Sequence, residues 1–262
     1  MPRVDRYYRG QGRVSFAERN SETGAPQAFL FLGNCNELNL SIDTETAEHQ
    51  ESYTGQGIMD RYVETSQSAM LNINLDNFIK ENLALAMFGK ATDKNAGSVS
   101  SGQAETHQAR PGYSVFLDNI NLDPNATITV TYDLTGTPTP ATEGDDYTVD
   151  HKSGRVYIVE GGAIGEEAIT VAYSYLDQET VGAFTEFNKE KYFVFEGLNT
   201  AEDYSPVVIH AYKVRLQPFD EFNLISDDFS ELALEGSILY DTTQAEDGVG
   251  GRFFKVIQSV RA

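Results

Sequence analysis

An antiparallel all-β sandwich or barrel with one short flanking α-helix is the fold class this sequence predicts, and three observations predict it. Apolar and polar residues alternate along most of the longer segments, which is the pattern of half-buried strands. Only one stretch carries helical periodicity, and there is neither an internal repeat nor a heptad pattern. With 262 residues, 40% hydrophobic content, 14 Tyr and 15 Phe, the chain can bury a substantial core.

The elements follow in order. Residues 1–20 read as an N-terminal arm, because the first 19 residues hold Arg3, Arg6, Arg9, Arg13 and Arg19 against only Asp5 and Glu18. A basic arm on a chain of net charge −21 suggests docking on an acidic surface, its own or a neighbour's. Leu38, Leu40 and Ile42 then alternate with Glu37, Asn39, Ser41 and Asp43. Ala69, Leu71, Ile73 and Leu75 alternate with Ser68, Asn72 and Asn74. The polar stretch between these runs, roughly Thr44 to Arg61, reads as a protruding hairpin loop. One helix follows, capped by Asp76 or Asn77. Its apolar stripe is Phe78, Ile79, Leu83, Ala86 and Met87, and Gly89 stands where a C-terminal cap belongs.

Residues 90–110 are rich in Gly, Ser, Ala and Gln and read as a flexible connection. The region 111–183 reads as a central β-rich insertion. Thr127–Tyr132 and Ile169–Tyr175 are its β-branched and aromatic strands, and Tyr147–Asp150 and Arg155–Val159 flank the turn signal His151-Lys152-Ser153-Gly154. Thr135–Asp146, with two prolines and two glycines, reads as loop. Long strands return at Tyr192–Glu196, Val207–Gln217, Glu231–Tyr240 and Arg252–Ile257. Residues 21–110 and 184–262 are therefore expected to form one β domain interrupted by the insertion.

The residues that could carry chemistry are sparse. His49, His107, His151 and His210 are scattered, with no second ligand at a metal-binding spacing. Cys35 and His210 would have to meet in space to form a nucleophile–base pair, and Cys35 reads better as a small core residue. The acids Glu143, Asp145, Asp146 and Asp150 lack calcium-loop spacing and read as a solvated turn, as do Asp227-Asp228 and Glu246-Asp247. No glycine-rich phosphate cradle is visible. No catalytic residue, cofactor or metal is expected, and assembly is favoured over catalysis. One cysteine excludes an internal disulfide. No apolar run approaches a membrane span, and no apolar segment follows the N-terminal charges, so neither a membrane anchor nor a secretory signal is expected.

Two stretches resemble the tail-tube (major tail) proteins of long-tailed bacteriophages. The first runs Phe31-Leu32-Gly33-Asn34-Cys35-Asn36-Glu37-Leu38-Asn39-Leu40-Ser41-Ile42, continues after the polar loop through Leu71-Asn72-Ile73-Asn74-Leu75-Asp76, and ends on Glu81-Asn82-Leu83-Ala84-Leu85-Ala86-Met87-Phe88-Gly89. The second is Phe195-Glu196-Gly197-Leu198-Asn199-Thr200-Ala201-Glu202-Asp203, followed by Val207–Pro218 and Leu234-Glu235-Gly236-Ser237-Ile238-Leu239-Tyr240-Asp241. Asp145–Asp150 with Ser153–Val156 resembles a hairpin common in phage tail proteins. The order of these pieces carries the resemblance, because none is a catalytic signature.

The resemblance implies a β-sandwich or barrel subunit of the tail-tube type. Six such subunits would close into a ring, with sheets joining edge to edge around a pore. Stacked hexameric rings would form the conduit for DNA ejection. The implied partners are the chain itself, the tape measure, tail terminator and baseplate or tip proteins, a sheath in contractile tails, and double-stranded DNA in transient, non-specific passage. The implied location is the virion tail, after synthesis in the bacterial host cytoplasm.

Alternation alone sets Glu37, Asn39, Ser41, Asp43 and Glu45, with Glu64, Ser66, Ser68, Asn72 and Asn74, opposite the apolar faces, and these are the lumen candidates. The ring-to-ring candidates are Arg3, Arg6 and Arg9 of the arm and Glu48, Glu51, Tyr53, Met59 and Asp60 of the hairpin. The competing expectation is a β-sandwich binding module such as a virion decoration protein, adhesin or carbohydrate-binding domain. Clustered exposed tyrosines would favour that alternative. A hydrolase on a β scaffold is a third class, without a visible acid–base pair.

Overall fold

The computed structural model describes residues 6–53, 55–133, 137–187, 189–245 and 251–259. In chain order the first elements are β1 (Gly10–Arg19), β2 (Pro26–Phe31), β3 (Cys35–Gln50), β4 (Met59–Leu75), α1 (Lys80–Met87), β5 (Lys90–Lys94), β6 (Gly97–Val99), β7 (Glu105–Gln108) and β8 (Ser114–Phe116). Then come β9 (Thr129–Tyr132), β10 (Thr139–Pro140), β11 (Tyr147–Asp150), β12 (Arg155–Ile158), β13 (Ala168–Tyr175) and β14 (Gln178–Gly182). The last are β15 (Lys191–Asn199), β16 (Ser205–Leu216), β17 (Leu232–Ile238) and β18 (Phe254–Gln258). Among the described residues the fold is all-β with one short helix.

The chain divides into two compact units, one of Met1–Ala91 with Val181–Ala262, the other of Thr92–Thr180. β5 and β14, where the chain passes between the units, form a two-stranded ribbon.

The first unit is built on a sheet ordered β2-β1-β15-β16-β17-β4-β3, with β18 also paired to β16. Its inner face buries Val14 and Phe16 of β1, Phe193 and Phe195 of β15, Val214 of β16, Leu232 and Leu234 of β17, and Leu71, Ile73 and Leu75 of β4 in one cluster. Strands far apart in the pairing order share that cluster, so the sheet curls to bring β3 and β4 over β1 and β15. α1 closes one side of the core through Ala86 and Asn82. The buried Asn82 amide donates to the backbone oxygens of Leu32 (2.7 Å) and Asn77 (2.9 Å).

Four expectations need correction here. The arm ends sooner than residue 20, because Gly10–Arg19 is a strand paired on both sides, with Val14 opposite Phe195 and Phe16 opposite Phe193. Its arginines hid the alternation of Val14 and Phe16 with Arg13 and Ser15. The stretch 90–110 is no free connection: Val99 of β6 pairs with Tyr173 of β13, and His107 of β7 with Ile169. Such strands need backbone hydrogen bonds more than large side chains, so composition did not reveal them. The expected loop Thr44–Arg61 is strand as far as Gln50 and again from Met59, for the same reason. The helix ends on Phe88, not Gly89, in the left-handed conformation (φ 49°). Gly89 is required instead because a Cβ there would lie 2.4 Å from the Gly182 carbonyl oxygen.

The second unit packs Ile128, Val130, Tyr147, Val156, Ile158, Ile164, Ile169, Val171 and Tyr173 into its own core. Its sheets are β10-β9-β13-β6, with β7 also on β13, and β11-β12-β8. The expected hairpin is present, Asp150 pairing with Arg155 across the turn.

Candidate functional site

The most distinctive surface is the β3–β4 hairpin and the polar face it continues. Near the body, Leu38, Leu40, Leu71 and Ile73 turn inward. Farther out, residues 41–50 and 55–68 are exposed on both faces. The register pairs Glu37 with Asn74, Asn39 with Asn72, Asp43 with Ser68 and Glu45 with Ser66. Cross-strand partners project to one side, so nine of the ten lumen candidates share one face: Glu37, Asn39, Ser41, Asp43, Glu45, Ser66, Ser68, Asn72 and Asn74. Hydrogen bonds knit this face, from the Asn39 amide to Glu37 (2.6 Å), from the Asn74 amide to Glu37 (3.3 Å) and from the Ser66 hydroxyl to Glu45 (2.9 Å).

Glu64 is the exception. The register shifts between Glu45 and Thr46, where Thr65 is the extra residue, and Glu64 pairs with Thr46. A bulge of this kind reverses the alternation beyond it. Glu64 therefore sits on the opposite face, where the amide of Gln67 donates to it (3.4 Å). Strict period-two counting cannot see an inserted residue.

Of the ring-to-ring candidates, Tyr53 is 86% exposed, and Met59 and Glu48 are also exposed. Asp60 accepts a hydrogen bond from Nδ1 of His49 (2.6 Å) across the ribbon. Glu51 is buried within the turn, where its carboxylate accepts from the Tyr53 amide (3.0 Å), so it organises the tip and offers little surface. In the arm, the Arg9 amide donates to the Asn199 side chain (3.0 Å), while the Arg6 and Arg9 side chains face solvent. Arg3 lies outside the described residues.

The reactive side chains are held apart or used locally. Cys35 packs against the inner core and its thiol donates to the Glu37 carbonyl (3.1 Å); burial pushes its pKa up. His210 faces the other side of the sheet, beside the Tyr192 hydroxyl (3.3 Å), and burial with the nearby Lys255 pushes its pKa down. The buried Asp146 accepts from the amides of Ala163 (2.7 Å) and Thr142 (2.8 Å), which hold its carboxyl below the usual range. Asp150 is likewise lowered, first by the Ser153 hydroxyl (2.7 Å). Among the described residues no cluster of three or more His, Cys, Asp or Glu could hold a metal ion, and no helix is long and apolar enough to cross a membrane. Glu246 and Asp247 lie outside the described residues.

Three features escaped sequence reasoning. Arg19, counted as part of the basic arm, forms a buried ion pair with Asp241 (2.6 Å), the side chains being 4% and 1% exposed. Burial raises the Asp241 pKa, but hydrogen bonds from Arg19 and Thr243 outweigh it and leave the carboxyl lowered. On the outer sheet face, Tyr192 packs edge-on to Phe29, His210 and Tyr212. The 217–231 connection carries the exposed side chains Leu224, Ile225 and Phe229, and hydrophobicity in a loop has no periodicity to announce it.

A family model described as "Protein of unknown function UCP028589" matches residues 7–257. No curated protein matches the chain.

Proposed function

We propose that this chain, which belongs to that family of proteins of unknown function, is a structural virion protein: a tail-tube subunit of a long-tailed bacteriophage. Its hexameric rings would stack into the conduit for DNA ejection. The observation that carries this reading is the β3–β4 hairpin, whose outer halves are exposed on both faces. An isolated two-stranded ribbon is marginal in water, so this one calls for a neighbouring subunit to pack against.

Two further features support the reading. Among the described residues, β2 and β3 each pair on one side only, leaving free margins at both ends of the sheet. Edge-to-edge joining between subunits would cover margins that otherwise invite disordered aggregation. The hairpin face holding Glu37, Asp43 and Glu45, on a chain of net charge −21, would repel phosphates and let DNA slide without being held. Tape-measure, terminator and baseplate or tip proteins are the partners this role requires, and no catalytic step is involved. Negative-stain microscopy of the purified protein tests it. Rings or tubes of uniform diameter are expected, and monomers at every concentration would refute it.

A second reading has one observation behind it. In the second unit, Phe116 pairs with Arg155 and Tyr157 with Ser114, which sets the two exposed rings on one face, and Tyr113 is exposed nearby in sequence. Such a face can stack on sugar rings, as a binding module would. Glycan binding by the full chain, lost in Phe116→Ala, would favour this role.

A further inference from the structure

The two ends of β16 carry surfaces of opposite character. At its beginning, the N-terminal segment is strapped across the β15–β16 turn. The Tyr7 amide donates to Glu202 (3.3 Å), the Asn199 amide side chain donates to the Tyr7 carbonyl (2.7 Å), and the Thr200 amide donates to the Arg9 carbonyl (2.8 Å). The backbone is thereby fixed, while Arg6, Tyr7, Tyr8 and Arg9 face solvent. The result is a basic, aromatic segment held in place on a strongly acidic protein.

At the other end, the chain leaves Leu216 into the connection to β17. Its base is anchored by Phe222, stacked on Phe78 (5.5 Å) and edge-on to Phe219 (5.9 Å). The Ser230 hydroxyl closes the loop on the Asn223 carbonyl (2.8 Å). Beyond that base, Ile225 and Phe229 are each 98% exposed, Leu224 is also exposed, and the same short segment carries the exposed acids Asp220, Glu221, Asp227 and Asp228. Apolar side chains this bare, interspersed with charge along one loop, have the composition of a docking surface.

We infer that this acidic, apolar loop is the receptor for the N-terminal segment of a second copy of this chain. The charges are complementary, and tyrosine rings offer flat apolar area to Leu224, Ile225 and Phe229 while arginines meet the surrounding carboxylates. The pairing is not made within one molecule: each segment is tied by hydrogen bonds to its own end of β16, and both stay exposed, Tyr7 at 73% and Ile225 and Phe229 at 98%. A contact between opposite ends of identical molecules is heterologous and propagates in one direction. It would therefore give a stack its polarity, one end of every assembly displaying arms and the other loops. The inference rests on the tube reading and adds to it the site that receives the arm.

Charge reversal tests it with the full-length chain. The variants are Arg6→Glu with Arg9→Glu, Asp227→Lys with Asp228→Lys, and all four together, each checked for unchanged melting. Polymer is read by sedimentation and microscopy. Either pair alone should raise the concentration needed for polymer by about tenfold or more, because like charges then face each other. The fourfold variant should restore it, and a mixture of the two separately impaired proteins should co-assemble. If the wild type forms tubes and either pair of reversals polymerises normally, or if neither combination restores assembly, the pairing is wrong while the tube reading stands. A wild type that never forms a polymer overturns both.

Discussion

The inner and outer halves of the β3–β4 hairpin belong to the same two strands and face opposite circumstances. Toward the body, Leu38, Leu40, Leu71 and Ile73 pack on β1, β15 and β17, so burial maintains the strands. Beyond Ile42 and Ala69 the core ends and the ribbon continues with Thr44, Glu45, Thr46, Ser66, Gln67 and Ser68. Strand pairing and side-chain hydrogen bonds, such as that from Ser66 to Glu45, hold it there without a core. Large exposed side chains reappear only near the tip, at Tyr53, Ile58, Met59, Tyr62 and Val63. The difference teaches that one strand can serve two purposes: the inner half stabilises the molecule, and the outer half is free to stabilise an assembly.

The largest expected effect comes from separating the halves. Replacing Thr44–Gln67 by an Asn-Gly turn, which suits a two-residue hairpin joining Asp43 to Ser68, should abolish tubes while the melting temperature changes by only a few degrees, roughly what a segment without a core should cost. Tubes seen by microscopy after this excision would erase the distinction.

Next is a break in the body that leaves the hairpin alone. Asp241→Asn should cost about 3–5 kcal/mol in chemical denaturation, because it removes the buried partner of Arg19 and leaves only the half-exposed Glu190 at 3.8 Å. The Asp241 carboxyl is lowered in the native state. Its contribution is therefore full above the ordinary carboxylate value of about 4 and is lost as pH falls through the lower native value. Wild type should lose stability across that acid window, and the variant should show a flatter profile.

A matched pair of truncations then sharpens the contrast. Leu71→Ala, in the inner half, should cost about 2–5 kcal/mol through the cavity it leaves. Val63→Ala, in the outer half, should stay within about 0.5 kcal/mol in the isolated chain, yet weaken polymerisation. Equal losses at both positions in denaturant melts would mean that the outer half is packed in the monomer after all.

Last comes the polar face, where the effect on stability is again small. Changing Asp43 and Glu45 to lysine should leave melting within about 1 kcal/mol, as exposed charges usually do. If that face lines the tube, the same change should slow DNA ejection. Unaltered ejection would remove the face from the lumen.

β15 and β16, which bury Phe193 and Phe195 on one face and Tyr192, Val194 and Tyr212 on the other, were legible from their apolar and aromatic runs. Alternation made β17 and the inner halves of β3 and β4 legible, because each has one face against a core and one against solvent. It failed at β1, where arginines masked Val14 and Phe16, and at β6 and β7, whose pairing with β13 uses backbone groups that carry no sequence signature. Most of the polar hairpin face was legible for the same reason as the strands. Glu64 was not, since a bulge is a property of two strands in register. Arg19 read as one more arm charge because its partner, Asp241, lies 222 positions away.

Composition and local pattern by themselves therefore determined the β class, the single helix, the acid excess and the faces of the long strands, all of which depend on residues near one another in the chain. Only the tertiary structure decided which strands are neighbours, where the core stops along the hairpin, which charges are buried as pairs and which apolar side chains are left bare. Those outcomes depend on long-range contacts, and burial is a property of what arrives from elsewhere in the chain.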